Sequence, residues 1–415
     1  MTEGISATLA SIRRLAVVKQ HLSGKLPRGS PGEQILSVVR DLAYVQWDPI
    51  EVVTPSHVLT LWNRVGGFRP SDLESLMWEK KELFEHWVNF AASLVLTEDY
   101  PLYYSMMKRY PDSIGKSWGS RKPRTERYLA RHRSLRSSIL GQLKHGPLKP
   151  DEFREYAPAK SKEEWTPGSE VSRMLFHLDM SGEAMVVGHE GKRNVWGLAE
   201  KFLPPQTVRR EMPVKELERR TVERAIRALG TASPRDINYY FPRGRYQDLK
   251  GALESLLEES TIHVVRVEGV PERGDRYVHE KDVALLSYLE DQGLEPRMSL
   301  LPPFDNLISG RKRTNLLFGF DYNHEMFLPA SRRKFGYYVL PILWGDEFVG
   351  RIDPRFERDK GRLMVHAVHA EAGYESDREM GTRVAGAIGS LAEFVGAERV
   401  EYSGRVPEAW RNALH

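Results

Sequence analysis

Gln46 and Asp48 flank Trp47 in the segment Tyr44-Val45-Gln46-Trp47-Asp48-Pro49-Ile50. Pro49 disfavours helical geometry at the residue before it and biases Asp48 toward an extended backbone. In an extended segment Gln46 and Asp48 share one face and Trp47 takes the other. Trp47 is then expected to anchor in the core while an amide and a carboxylate project together. Such a pair can manage a single water molecule. The carboxylate accepts its proton and the amide fixes its orientation. The same residues allow a plainer role, in which Asp48 caps the following turn and Gln46 is solvated. His57, nine residues beyond Asp48, opens the next expected helix. It is expected to face the same cleft, with a capping or core role as the alternative.

Other chemical signatures fail on their context. Gly115-Lys116-Ser117-Trp118-Gly119 has the form of a nucleophile elbow, but the polar, proline-containing run before it is no strand. The same Gly-Lys-Ser lacks the earlier glycine of a phosphate-binding loop, because Tyr110 stands there. His366 and His369 are three apart on an expected strand, so they point to opposite faces. His189-Glu190 is followed by Arg193 where a zinc-binding helix would need a second histidine. The chain contains no cysteine, which excludes disulfides, thiolate metal sites and cysteine nucleophiles. No metal and no cofactor is expected.

The elements that must position these residues follow a repeated pattern of helices and a glycine-centred hairpin. The clearest copy lies between Val214 and Asp282. Val222, Ala225, Ile226 and Leu229 keep the helical period, Gly230 stops that helix, and Ser233-Pro234 opens a short second one. Leu249, Leu253, Leu256 and Leu257 stripe a third helix, and two strands, IHVVRV and DRYVHE, enclose a turn-rich EGVPERG. Three helices and a hairpin make a winged helix-turn-helix. A second copy runs from Arg133 to Pro205, with Lys192 and Arg193 at its hairpin tip, where such domains commonly meet phosphate, with a merely solvated turn as the alternative. A mostly helical copy begins the chain, with helices expected over 5–21, 33–45, 56–65 and 70–90. After Pro296 short strands separated by Gly, Asp and Pro signals, over 325–331, 336–344, 346–353 and 361–370, give way to a helix over 378–394. The expected fold class is α+β: tandem winged helix-turn-helix units over 1–105, 106–206 and 207–295, then a β-rich domain closed by a helix over 296–415.

Composition fits this picture. The 415 residues are 40% hydrophobic and 28% charged, which argues for folded domains and against disorder. No stretch approaches 18 consecutive apolar residues, so no membrane span is expected. The N-terminus reads as an amphipathic helix and not a signal peptide, which fits a cytoplasmic protein. The net charge is only +4, but its distribution is uneven. Ser105–Arg136 carries ten Lys/Arg against Asp112 and Glu126, a net +8 over 32 residues interleaved with Tyr110, Trp118 and Tyr128. That combination suits a nucleic-acid surface, with Arg121, Lys122 and Arg124 as candidate contacts and a solvated face or linker as the alternative. Arg332, Arg333 and Lys334 form a second compact basic cluster, with a solvated strand entry as the alternative. No coiled-coil heptads suggest an obligate dimer, so a monomer is expected.

The segment LAYVQWDPIEVVTPSHVLTLWNRVGGF resembles the start of the YcaQ/AlkZ-type winged-helix DNA glycosylases, a crosslink-repair family. Gln46-Trp47-Asp48 matches that family's Gln-hydrophobic-Asp motif. LLPPFDNLISGRKRTNLLFGFDY and PASRRKFGYYVLPILWGDEFVGRID resemble its C-terminal region, in the right order, so the likeness runs from about Ile12 to Asp353. It implies tandem winged helices forming a DNA-binding surface. It also implies double-stranded DNA as partner, removal of N7-alkylated guanine and unhooking of interstrand crosslinks. The chemistry suits few residues. N7-alkylguanine carries a positive charge and departs as a neutral base, so no strong general acid is required. Asp48 would stabilise the cationic sugar and take the proton of a water that Gln46 orients. No lysine sits in the motif to form a Schiff base, which predicts a monofunctional glycosylase. Two other functions fit the pattern of elements: a non-catalytic winged-helix transcriptional regulator, or a small-molecule sensor joined to DNA-binding modules. A regulator would bind one sequence, often as a dimer, and lose little when Asp48 becomes Asn.

Overall fold

The structure, a computed structural model, describes residues 4–88, 90–112, 121–153, 170–268 and 275–414. The 115–119 motif, the polar loop of the second copy and most of the EGVPERG turn lie outside the described residues. The fold is mixed α+β, 48% helix and 19% strand. It falls into two compact units that each gather separated stretches of chain. One comprises Met1–Pro70, Glu223–Tyr240 and Leu256–His415, and the other Ser71–Val222 and Phe241–Ser255. These units cut across the sequential divisions at 105, 206 and 295.

The first unit holds the Gln46–Asp48 segment. Its opening residues are not one helix over 5–21. Ile5–Ala7 is a strand paired in parallel with Val265–Val267, and helix α1 covers Leu9–Lys19. The break is chemical: the Thr8 hydroxyl accepts from the Ser11 N–H and caps α1. Helix α2, Pro31–Leu42, starts with Ser30 capping and Pro31 in its first turn. Ile35, Val38, Val39 and Leu42, the expected stripe, are all buried. Each such side chain contributes on the order of 1.5–3 kcal/mol relative to exposure. Helix α3, Ser56–Val65, has the expected bounds.

A four-stranded sheet joins Ile5–Ala7, Ile262–Val267, Arg276–His279 and Thr231–Ala232 in that order. Gly230, with φ +76°, ends the helix Val214–Leu229, and a Cβ there would meet Leu15 Cγ at 2.9 Å. The C-terminal sheet has five strands, ordered Met298–Leu300, Leu340–Trp344, Glu347–Glu357, Arg362–Ala370 and Arg399–Tyr402. The helix Arg378–Val395 covers it, burying Val384, Ile388 and Leu391. Val53 and Leu59 belong to the same core as Leu340, Ile342 and Ile352, so the chain around α3 is packed on this sheet. One expected strand is absent: residues 325–331 form two short 3-10 turns, Glu325–Phe327 and Ala330–Arg332, on either side of Pro329. A proline removes a ladder donor, and the Glu325 carboxylate turns inward to accept from the Phe335 and Gly336 N–H groups.

In the second unit the helix expected over 70–90 ends early. Pro70–Glu74 is helical, Ser75–Glu79 is a π-turn, and Leu83–Trp87 is a strand paired with Ala92–Leu96. Leu83, Phe84, Glu85 and His86 are buried consecutively, which a helix with one apolar stripe cannot do but a strand covered on both faces can. His189 reaches the buried Glu85 at 3.0 Å and Asp179 reaches His86 at 3.1 Å, so neither buried carboxylate is left bare. The hairpin Ala184–Glu190 and Arg193–Leu198 follows the helix Glu170–Met180 as expected.

Candidate active site

Helix α2 ends at Leu42, and Ala43 turns the chain with φ +69°, a conformation L-residues rarely adopt. The two-residue strand Val45–Gln46 follows and delivers Trp47 and Asp48 into a loop that leads to α3. This loop is fastened to the C-terminal sheet. The Phe356 N–H donates to the Val52 carbonyl at 2.9 Å, and Glu51 pairs with Arg358 at 2.7 Å.

Asp48 is half-buried, and its two oxygens are differently placed. One accepts from the Ile50 N–H at 2.8 Å, while no group among the described residues donates to the other. The plainer role considered for Asp48, capping the next turn, is thus fulfilled by a single oxygen. Burial raises the Asp48 pKa above its ordinary value, and the Ile50 N–H offsets part of that. Gln46 is also half-buried, and its amide makes no hydrogen bond among the described residues.

Trp47 differs from expectation. It is half-buried, not in the core, and its ring stacks on His57 with centroids 3.9 Å apart and planes 15° from parallel. His57 is only 3% exposed. Its ring lies against Trp47 and is withdrawn from solvent.

Sequence reasoning missed Tyr338 and Ser56. Both are buried, neither hydroxyl has a hydrogen-bond partner among the described residues, and the Asp48 charge reaches the Tyr338 phenol. Burial, and secondly the Asp48 carboxylate, push the Tyr338 phenol upward, while Ser56 acts in the opposite sense. Asp353 holds this segment by accepting from the Tyr337 and Tyr338 N–H groups at 3.1 and 2.9 Å. The only sign of this in the sequence is the run Phe335-Gly336-Tyr337-Tyr338, which shows neither the depth of Tyr338 nor its neighbour 290 positions earlier in the chain.

The basic candidates fall in both units. Arg332 and Lys334 are exposed in the first unit, and Arg333 donates to the Leu328 carbonyl at 3.0 Å and lies over the Tyr337 ring. In the second unit Arg121, Lys122 and Arg124 lie on the helix Arg121–Arg131. The Arg121 side chain is outside the described residues. Lys122 is paired with Asp112 at 2.6 Å, which spends part of its charge locally, and Arg124 is exposed. Lys192 and Arg193 occupy the hairpin tip as expected, with Arg193 on Asp151 at 2.7 Å. Among the described residues no three His, Asp or Glu side chains are grouped to hold a metal ion, and no helix is long and apolar enough to cross a membrane.

Comparison with known proteins adds to this geometry. The family model described as DNA glycosylase AlkZ-like matches residues 39–394, which include the Gln46–Asp48 segment and the Arg332–Lys334 cluster. Among solved structures the chain is similar to the Streptomyces sahachiroi DNA glycosylase AlkZ. The TM-score is 0.65 over 97% of this chain and 100% of that one, at 16% sequence identity, a level that speaks for the fold alone.

Proposed function

The chain belongs to the AlkZ-like DNA glycosylase family, and on that premise we propose that it hydrolyses the N-glycosidic bond of N7-alkylated guanine in duplex DNA and unhooks crosslinks made through that position. The observation that carries this reading is the asymmetric carboxylate of Asp48. One oxygen is fixed by the Ile50 N–H and the other has no donor among the described residues, near a half-buried Gln46. A fixed carboxylate with a free oxygen is preorganised to meet a developing positive charge, and such preorganisation is usually the largest single contribution to catalysis.

In the proposed step the C1′–N9 bond breaks and its electron pair goes to the purine, which its positive charge has already made a good leaving group. The sugar becomes cationic, and the free oxygen of Asp48 stabilises it. A water held by the Gln46 amide then bonds to C1′ and gives its proton to Asp48. The products are neutral N7-alkylguanine and an abasic site. The Trp47–His57 stack fixes the backbone between the two working residues. No lysine lies in the motif to attack the sugar, so the strand stays intact. The helix-and-hairpin copies are read as winged helices that hold the duplex. Arg124, Lys192, Arg332 and Lys334 serve as phosphate contacts, Arg121 and Lys122 reinforce the basic helix, and Arg333 supports the cluster. A monomer in the cytoplasm is sufficient for this reaction.

A denaturing-gel assay on duplex DNA carrying one N7-alkylguanine or one mustard crosslink tests the reading. Strand breaks appear only after alkali with wild type. Asp48→Asn and Gln46→Ala lower the single-turnover rate, Asp48→Asn by on the order of 100-fold or more, the usual worth of a general base. Wild-type protein that binds the duplex and leaves every lesion intact would instead establish the non-catalytic DNA-binding protein.

A further inference from the structure

An open cleft of about 970 Å³ lies on the first unit, between the end of the strand Arg362–Ala370, the first turn of the helix Arg378–Val395 and the segment 405–412. Three arginines line it: Arg378, Arg405 and Arg411. All three are exposed, and among the described residues none makes an ion pair or a side-chain hydrogen bond. Arg351, Arg362, Arg383 and Arg399, on the neighbouring strands and helix, are each paired with a carboxylate, whereas the three arginines of the cleft keep their charge for a ligand. Two acids also line the cleft, yet neither pairs with the arginines among the described residues: Glu375 accepts from the Gly373 N–H at 2.9 Å, and Glu408 makes no ion pair. His369 completes the wall, edge-on to Phe335 at 5.2 Å. Its burial and the nearby Arg405 keep its pKa below the ordinary value, so at neutral pH the cationic groups are the arginines.

The shape and chemistry specify the ligand class. A small-molecule pocket is enclosed and mainly apolar. This cleft is open and polar, and its donors are guanidinium forks, which match the paired oxygens of a phosphodiester. Its position fits a polymer as well. Phe335 lines the cleft and continues the Arg332–Lys334 cluster, while Tyr338, whose phenol lies within reach of the Asp48 charge, follows three residues later. Three residues of chain span at most about 11 Å, the length of about three nucleotide steps at ~3.4 Å along one strand.

We propose that the cleft is a second DNA-backbone site, in which Arg378, Arg405 and Arg411 hold phosphodiesters a few nucleotides from the base that Asp48 acts on. The proposal rests on the reading of the chain as a DNA glycosylase. Its test is nevertheless made on binding. Full-length wild type and the triple variant Arg378→Ala/Arg405→Ala/Arg411→Ala are titrated with undamaged fluorescent duplex over a range of salt, and thermal melting verifies that the variant is folded. Each lost phosphate contact flattens the slope of log K against log salt by about 0.9. The expected change is therefore between two and three, with weaker binding at low salt and an unchanged single-turnover rate on lesion DNA at saturating protein. A methylphosphonate two to four nucleotides from the lesion should weaken wild type and leave the triple variant unaffected. An unchanged slope and affinity in a folded variant would overturn the proposal. So would calorimetric binding of inorganic phosphate that the substitutions abolish while duplex binding stays intact, which would make the cleft a site for a free anion. If instead the arginines govern duplex binding but no lesion is ever cleaved, the cleft stands and the glycosylase reading of Asp48 falls.

Discussion

At the scale of single residues, the site depends on a carboxylate kept charged in a half-buried place. Because the folded Asp48 pKa is raised by burial above 3.8, its charged form is lost at a higher pH than an ordinary aspartate's. Single-turnover rates should fall on the acid side with an apparent pKa above 3.8, and Asp48→Asn should lack that limb. The same shift has a sign for stability. The folded state binds the Asp48 proton more tightly than the unfolded chain, so stability drops as pH rises from 3.8 through the raised pKa, and the cost persists at neutral pH. Asp48→Asn removes that cost while its amide oxygen can still accept from Ile50. Thermal melts at pH 7 should therefore show the variant at least as stable as wild type, with the difference fading in acid. A clear loss of stability at pH 7 would mean that the carboxylate serves the fold and not the reaction.

At the scale of elements, the working segment is held by a neighbour far away in sequence. The stretch 335–338 is gripped by two buried carboxylates, Glu325 and Asp353, and it places Tyr338 within reach of the Asp48 charge. Gly336 makes this possible: its φ is +147°, and a Cβ there would come within 2.1 Å of the Asp353 carboxylate. Gly336→Ala should destabilise the protein by about 1–3 kcal/mol through strain and displacement of Asp353. It should also lower the rate by shifting Tyr338, although it alters neither Gln46 nor Asp48. Urea unfolding and the gel assay on the same preparation check both effects.

At the scale of the whole molecule, the first unit is built from both ends of the chain, and a buried ion pair joins them. Arg64 on α3 donates to both oxygens of Asp305, at 2.7 and 2.9 Å, and neither side chain is exposed. Such a pair is weak evidence of net stabilisation, but removing one partner strands the other charge. Arg64→Ala should cost about 3–5 kcal/mol in urea unfolding. The double variant Arg64→Ala/Asp305→Ala should recover part of that loss. A double variant as unstable as the sum of the singles would show that the two charges act independently.

The local features of this protein were legible in its sequence because they depend on neighbours a few residues away. The stripe of Ile35, Val38, Val39 and Leu42 marked α2, Gly230 marked a helix end, and Pro49 placed Asp48 outside a helix. Gln46 and Asp48 stood out because two polar groups two apart on extended backbone share a face. Where long-range contacts compete with local preference, the sequence misled or was silent. Ile5–Ala7 became a strand because Val265–Val267 offered it a partner, and Leu83–Trp87 did so because both its faces could be covered. His57 was withdrawn from solvent under Trp47 by packing that no spacing rule contains. Tyr338 and the arginines of the cleft acquire meaning only once the C-terminal sheet folds beside the N-terminal helices. Residue types and short spacings determined which groups could do chemistry. The tertiary structure decided which of them are buried, which are paired and which remain free to act, because burial and pairing are properties of the neighbours that folding supplies.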